Sequence, residues 1–198
     1  MISRKTLICC ALALAFGLLT ARAHGTTLVR AGLDELVTSH GTIVVGQVLD
    51  AESYWNEGHT FILTDVRFAA NEVLKGEVAD QELTVTLMGG TAGGLTTLIV
   101  GGAELIPGNS YVLFLDREPL PGARKALTVR EHCQGAFDVV MAKDGLRAVS
   151  QANQHPLTPD AKGIFEAPGG VEGYPLSAML DSIRQTVSRQ RSGQREVR

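Results

Sequence analysis

The run "GTIVVGQVLDAESYWNEGHTFILTDVRFAANEV", Gly41 to Val73, constrains this chain most, because its two arms carry strand periodicity over a length that a helix cannot accommodate. In the second arm Ile62, Thr64, Val66, Phe68 and Ala70 fall on one face, with Phe61, Leu63, Asp65 and Arg67 on the other. The first arm is rich in β-branched residues, and the turn-like "NEGH" between them predicts a long hairpin. Val73 and Leu74 end the second strand, and Lys75 and Gly76 supply a turn tolerant of positive φ. "QELTVTLM" then restarts the alternation with Leu83, Val85 and Leu87 inward.

The glycine-rich "GGTAGGLTT" lacks the Lys-Ser/Thr ending of a nucleotide-binding loop and reads as a bulge or corner where a barrel strand bends sharply. After it come a strand, a Pro107-Gly108 turn and the apolar core strand "YVLFL". Shorter strands are predicted at "KALTVRE", "GAFDVVM" and "LRAVSQ", with "KDG" as a hairpin turn. Ahead of the long hairpin, Leu28, Leu33, Leu36 and Val37 have the spacing of a short amphipathic helix. At the other end, Leu176, Met179, Leu180, Ile183 and Val187 form a helical stripe that would dock on the body. The expected fold is mainly β, a small bent antiparallel β-barrel over 24–152. A proline- and glycine-rich linker at 153–175, an amphipathic helix at 176–190 and a disordered basic tail at 191–198 follow it.

Residues 1–23 read as an export signal: Arg4 and Lys5 precede "LICCALALAFGLL", which ends at the small-x-small "ARA". The apolar stretch is short for a bilayer span, so the expectation is a cleaved leader, no stable membrane insertion afterwards, and a periplasmic or secreted protein. Cleavage after Ala23 would remove Cys9 and Cys10, leaving Cys133 as the one cysteine, without an internal disulfide. Cys133 reads as a small buried hydrophobe, with a reactive nucleophile or a bridge between chains as the alternatives. Loss of the leader moves the formal charge from −3 to −6, and the body ahead of the arginine-rich end is more acidic still. That balance argues against nucleic acid as a partner.

The run "VVGQVLDAESYWNEGHTFILTDVRFAANEVLKG", followed by "GG", "GG", "PGNSYVLFL", "QGAFDV" and "KDG", resembles a group of poorly characterised exported bacterial proteins. Their pattern pairs a Gly-x-Val strand and a Trp turn with a "VLKG" turn and a "G-x-x-YVLFL" strand, here between Leu28 and Val149. Phe61 and Asn109 stand where tyrosine and glutamate are often seen. The resemblance implies an oligonucleotide/oligosaccharide-binding-like barrel, similar to netrin-like and metalloproteinase-inhibitor domains, and little chemistry. Those inhibitors use an amino-terminal cysteine, which a chain beginning at His24 lacks.

Tyr54, Trp55 and His59 cluster at the predicted hairpin tip and are candidate binding residues, since aromatic side chains are favoured as interface anchors. The competing structural role is Trp55 capping one end of the barrel. His24 is the candidate metal ligand: an amino-terminal histidine offers copper both an amine and an imidazole, with His40, His59, His132 and His155 available to complete a site. Ser39-His40 and His132-Cys133 are adjacent pairs, which strand geometry points apart, and no Gly-x-Ser-x-Gly elbow is present. Asp65, Glu131 and Asp138 are the available carboxylates. The leading expectation is an exported, non-enzymatic β-barrel domain that binds a protein or glycan partner in the cell envelope, with no resident cofactor. The alternatives are a copper-binding protein or copper-dependent oxidase built on His24, and a hydrolase using Cys133.

Overall fold

A computed structural model describes residues 28–196 except Asp80, Glu131, Pro156 and Phe165, and it leaves the side chains of 194–196 undescribed. The expected leader at 1–23 and His24 lie outside the described residues. The strands are β1 (Leu28–Val29), β2 (Thr42–Trp55), β3 (Ile62–Lys75), β4 (Glu82–Met88), β5 (Gly90–Ala92), β6 (Leu95–Thr97), β7 (Ser110–Arg117), β8 (Leu127–Val129), β9 (Ala136–Ala142), β10 (Gly145–Ser150), β11 (Leu157–Thr158) and β12 (Tyr174–Pro175). Two α-helices, α1 (Leu33–Ser39) and α2 (Leu176–Glu196), accompany them. The fold is mainly β, built on one large antiparallel sheet in the order β12-β10-β9-β7-β2-β3-β4, with β8 paired to part of β7.

The long hairpin forms as its alternation predicts: Trp55 pairs with Ile62, and Asn56–Phe61 make the connection. Register shifts at Ile43/Val44, Val45/Gly46 and Val48/Asp50 bend the ribbon, because each bulge adds local twist. At one of them only glycine fits, since a Cβ on Gly46 would fall on the Ala69 carbonyl. Beyond β3 the chain leaves through Gly76 at φ +83° and re-enters the sheet at Glu82.

Alternation along β7 divides the core between two faces. Val112 and Phe114 join Ile43, Phe137 and Ala148 under the helices, which contribute Leu36, Val37, Met179, Ile183 and Val187. Tyr111, Leu113 and Leu115 face the other way, against Val44, Val48, Val66, Phe68 and Val85. Burial of each such large side chain stabilises the fold by about 1.5–3 kcal/mol. The predicted stripe of α2 therefore docks on the sheet. No described helix is long and apolar enough to cross a membrane.

The expected barrel does not close among the described residues. Cα atoms of β4 and β8 come within 8 Å, yet the two strands share no ladder. β8 is three residues long, and the edge of β7 opposite β2 is shared between β9 at Tyr111–Leu113 and β8 at Leu115–Arg117, so neither extends far enough to seal the seam. The glycine-rich run also differs from a single corner. Gly89 and Gly90, at φ +93° and +122°, turn the chain out of β4, whereas Gly93 and Gly94, at φ +59° and +78°, form the two-residue turn of a separate hairpin, β5–β6.

Three boundaries move. Leu28 belongs to β1 rather than to the first helix: it pairs in parallel with Leu157 and packs beside Cys133, Ala152 and Ala167. The segment 153–175, expected as a linker, lies as a strap on the body. Arg30 holds it by an ion pair to Asp160 Oδ2 at 2.9 Å and by donating from Nε to the Glu166 carbonyl at 2.9 Å. The last helix runs to Glu196, through the start of the expected basic tail, because no proline interrupts it and Gly193 is tolerated near an exposed end.

Candidate functional site

The end of the β2–β3 hairpin gathers the three residues that the sequence singles out, and strand geometry gives them different roles. Tyr54 turns inward and is 9% exposed. Its hydroxyl donates to Asp65 Oδ1 at 3.1 Å and accepts from the Arg124 backbone N–H at 3.2 Å, while the Arg124 guanidinium lies 4.0 Å over the ring. Burial pushes the phenol pKa up, so it stays a neutral donor. Thr86 Oγ1 also donates to Asp65 Oδ1, at 2.6 Å, which commits that carboxylate to holding the hairpin.

Trp55, one residue on, projects to the opposite face. Its half-buried indole stacks on the exposed ring of His59, with centroids 6.0 Å apart and planes 27° from parallel. His59 has φ +50°, a left-handed conformation that costs a residue with a Cβ on the order of 1 kcal/mol. Asn56 compensates from below. It is 5% exposed; its Oδ1 accepts from the N–H groups of Thr60 at 2.8 Å and Phe61 at 3.3 Å, and its Nδ2 donates to Thr60 Oγ1 at 2.9 Å. Its carbonyl accepts from the His59 N–H at 2.9 Å.

Two other segments support this tip. A Cβ on Gly93 would sit 3.2 Å from Trp55 Nε1, so the β5–β6 turn abuts the indole edge. A Cβ on Gly122 would approach Asn56 Cβ at 3.0 Å, which brings the β7–β8 connection onto the loop. Sequence reasoning missed Asn56, Gly93, Gly122 and Arg124. The "NEG" after a strand is a recognisable side-chain-capped turn and could have marked Asn56. Nothing local marks Arg124, which meets Tyr54 across 70 residues.

The other described histidines, His40, His132 and His155, do not converge on this tip. His40 is 1% exposed; its Nδ1 donates to the Leu36 carbonyl at 2.7 Å, and its Nε2 has no partner among the described groups. His132 is exposed at φ +58°, and His155 lines a cleft beside the 98–109 loop. Among the described residues no three His, Cys, Asp or Glu side chains assemble as a metal site. Cys133 is free and wholly buried, and burial pushes its pKa up to about 11, which removes the thiolate that a nucleophile needs. Asp138 accepts from Gln151 Nε2 at 2.9 Å, and Glu131 lies outside the described residues. The chain matches no protein-family model, no curated protein and no solved structure.

Proposed function

We propose that the protein is an exported, non-enzymatic binding module that engages a protein or glycan partner of the cell envelope through the Trp55–His59 face of the hairpin tip. The stacked pair carries this reading, because an exposed His59 ring and a half-buried Trp55 ring are held together on a backbone that costs energy to maintain. The buried Asn56 network supports it by fixing the loop in advance, which lowers the ordering cost on binding. The curled sheet with an open β4–β8 seam is compatible with an oligonucleotide/oligosaccharide-binding-like ancestry. The test is retention of envelope proteins and glycans on immobilised protein, compared with Trp55→Ala and with His59→Gly, which suits the left-handed backbone. Loss of a specific ligand by about tenfold or more in both variants is expected. Equal retention by all three proteins would sink the reading.

A second reading keeps copper at His24. In the parallel pairing of β1 with β11, Leu28 lies beside Leu157, two residues beyond His155. His24 is four residues ahead, within about 14 Å of Leu28 at full extension. Processing after Ala23 would expose an amine and an imidazole there, with His155 as a further ligand. Copper(II) titration of a chain beginning at His24 should show tight binding that is lost when one residue is added ahead of His24 or when His155 becomes alanine. Weak binding indifferent to both changes ends this reading.

A further inference from the structure

A cleft of about 630 Å³ opens between the 98–109 loop and β9, and the loop's buried anchors line its floor. Gln151 makes one anchor: its Oε1 accepts from the Glu104 N–H at 2.9 Å and its Nε2 donates to the Glu104 carbonyl at 2.7 Å. Tyr111 adds a second, its hydroxyl accepting from the Ile106 N–H at 2.9 Å. The loop is thereby tied at its base and buries Leu105, while three of its apolar side chains stay outside: Leu98 is 77% exposed, Val100 83% and Ile106 53%. Across the cleft Val140 is 41% exposed. Large apolar side chains converging around one cleft mark an interaction surface more than scattered singly exposed ones do.

Two further observations say what fits. The ladder between β7 and β9 ends at Tyr111–Asp138, while on the other edge Asn109 and Gly108 go on bonding Val48 of β2. Among the described residues, β9 from Val139 to Ala142 pairs with β10 alone, and Val139 and Val140 line the cleft. Glu104 and Asp138 line the cleft beside His155, with no lysine or arginine among the described lining residues, and the Gln151 bond to Asp138 uses only Oδ1. An unpaired strand segment, an apolar rim and two lining carboxylates call for a strand that carries a cation.

We propose that this cleft binds an extended peptide segment that adds to the β9 edge, placing apolar side chains against Val140 and Val100 and a lysine or arginine between Glu104 and Asp138. Backbone bonds would supply affinity, and alternate side chains the selectivity. On one face of β9, Asp138 and Val140 are two residues apart, so the matching face of the ligand reads apolar, basic, apolar.

The probe is an acetylated, amidated peptide, Thr-Val-Thr-Lys-Thr-Val-Thr, whose central lysine makes it indifferent to strand direction, titrated beside a version with glutamate in place of lysine. Saturable binding below about 1 mM is expected for the lysine peptide, with at least about tenfold weaker binding for the glutamate peptide and for a Leu98→Asn/Val100→Asn variant. Both substituted positions are highly exposed, so the variant should fold, and slowed amide exchange across Val139–Ala142 on adding peptide gives a second readout. Trp55→Ala should bind the lysine peptide unchanged, which separates this surface from the hairpin tip. Absence of saturable binding up to that concentration, or equal affinity for the glutamate peptide or for the double variant, overturns the proposal.

Discussion

At the residue scale, Cys133 shows how position overrides chemical type. Its thiol has the reactivity of any cysteine on paper, but the site beside Ala152 and Ala167 excludes water and raises its pKa from 9.0 to about 11. Native protein at pH 8 should resist a thiol-reactive probe and become labelled only when urea unfolds it; fast labelling of the folded state would contradict the assignment. The same burial links stability to pH. The folded state holds the proton more tightly than the unfolded chain, so this contribution is complete below pH 9 and is lost as pH rises towards 11. The two-unit difference corresponds to about 2–3 kcal/mol, and Cys133→Ala should flatten that part of the urea-denaturation profile. Burial of Cys133 was legible from its type. The inward turn of Tyr54 was not, because it depends on Asp65 and Arg124 meeting it across the fold.

At the scale of elements, α2 is attached by apolar burial and by polar contacts of unequal worth. Met179 and Ile183 are fully buried against the sheet, whereas Arg184 meets Glu72 in a forked pair whose partners are 46% and 41% exposed. A half-exposed ion pair contributes about 0–1 kcal/mol, while removing a buried large side chain costs about 2–5 kcal/mol. Met179→Ala should therefore lower the urea midpoint far more than Glu72→Gln; comparable losses would mean that the ion pair, and not the apolar stripe, holds the helix. The stripe was readable because helical spacing is a local property. The far boundary of the helix was not, since the arginine-rich sequence beyond Gln190 carries no apolar period to follow.

For the whole molecule, the sheet separates two cores and supports two distinct surfaces, the hairpin tip and the cleft beside β9. The strap at 153–175 shows why organisation was harder to read than elements: its proline and glycine content resembles that of a linker, but Arg30, more than a hundred residues away, binds it through Asp160. Sequence by itself determined the mainly antiparallel character, the β2–β3 hairpin, the turn at Gly76 and the docking face of α2, because period-two and helical spacing and a tolerance of positive φ are written into neighbouring residues. Tertiary structure alone decided that the sheet stays open at β4 and β8, that Gly93 and Gly94 make their own hairpin, and that Trp55 and not Tyr54 faces outward. Those outcomes depend on which strand edges run out of length and which distant side chains arrive beside them, and no local pattern records either.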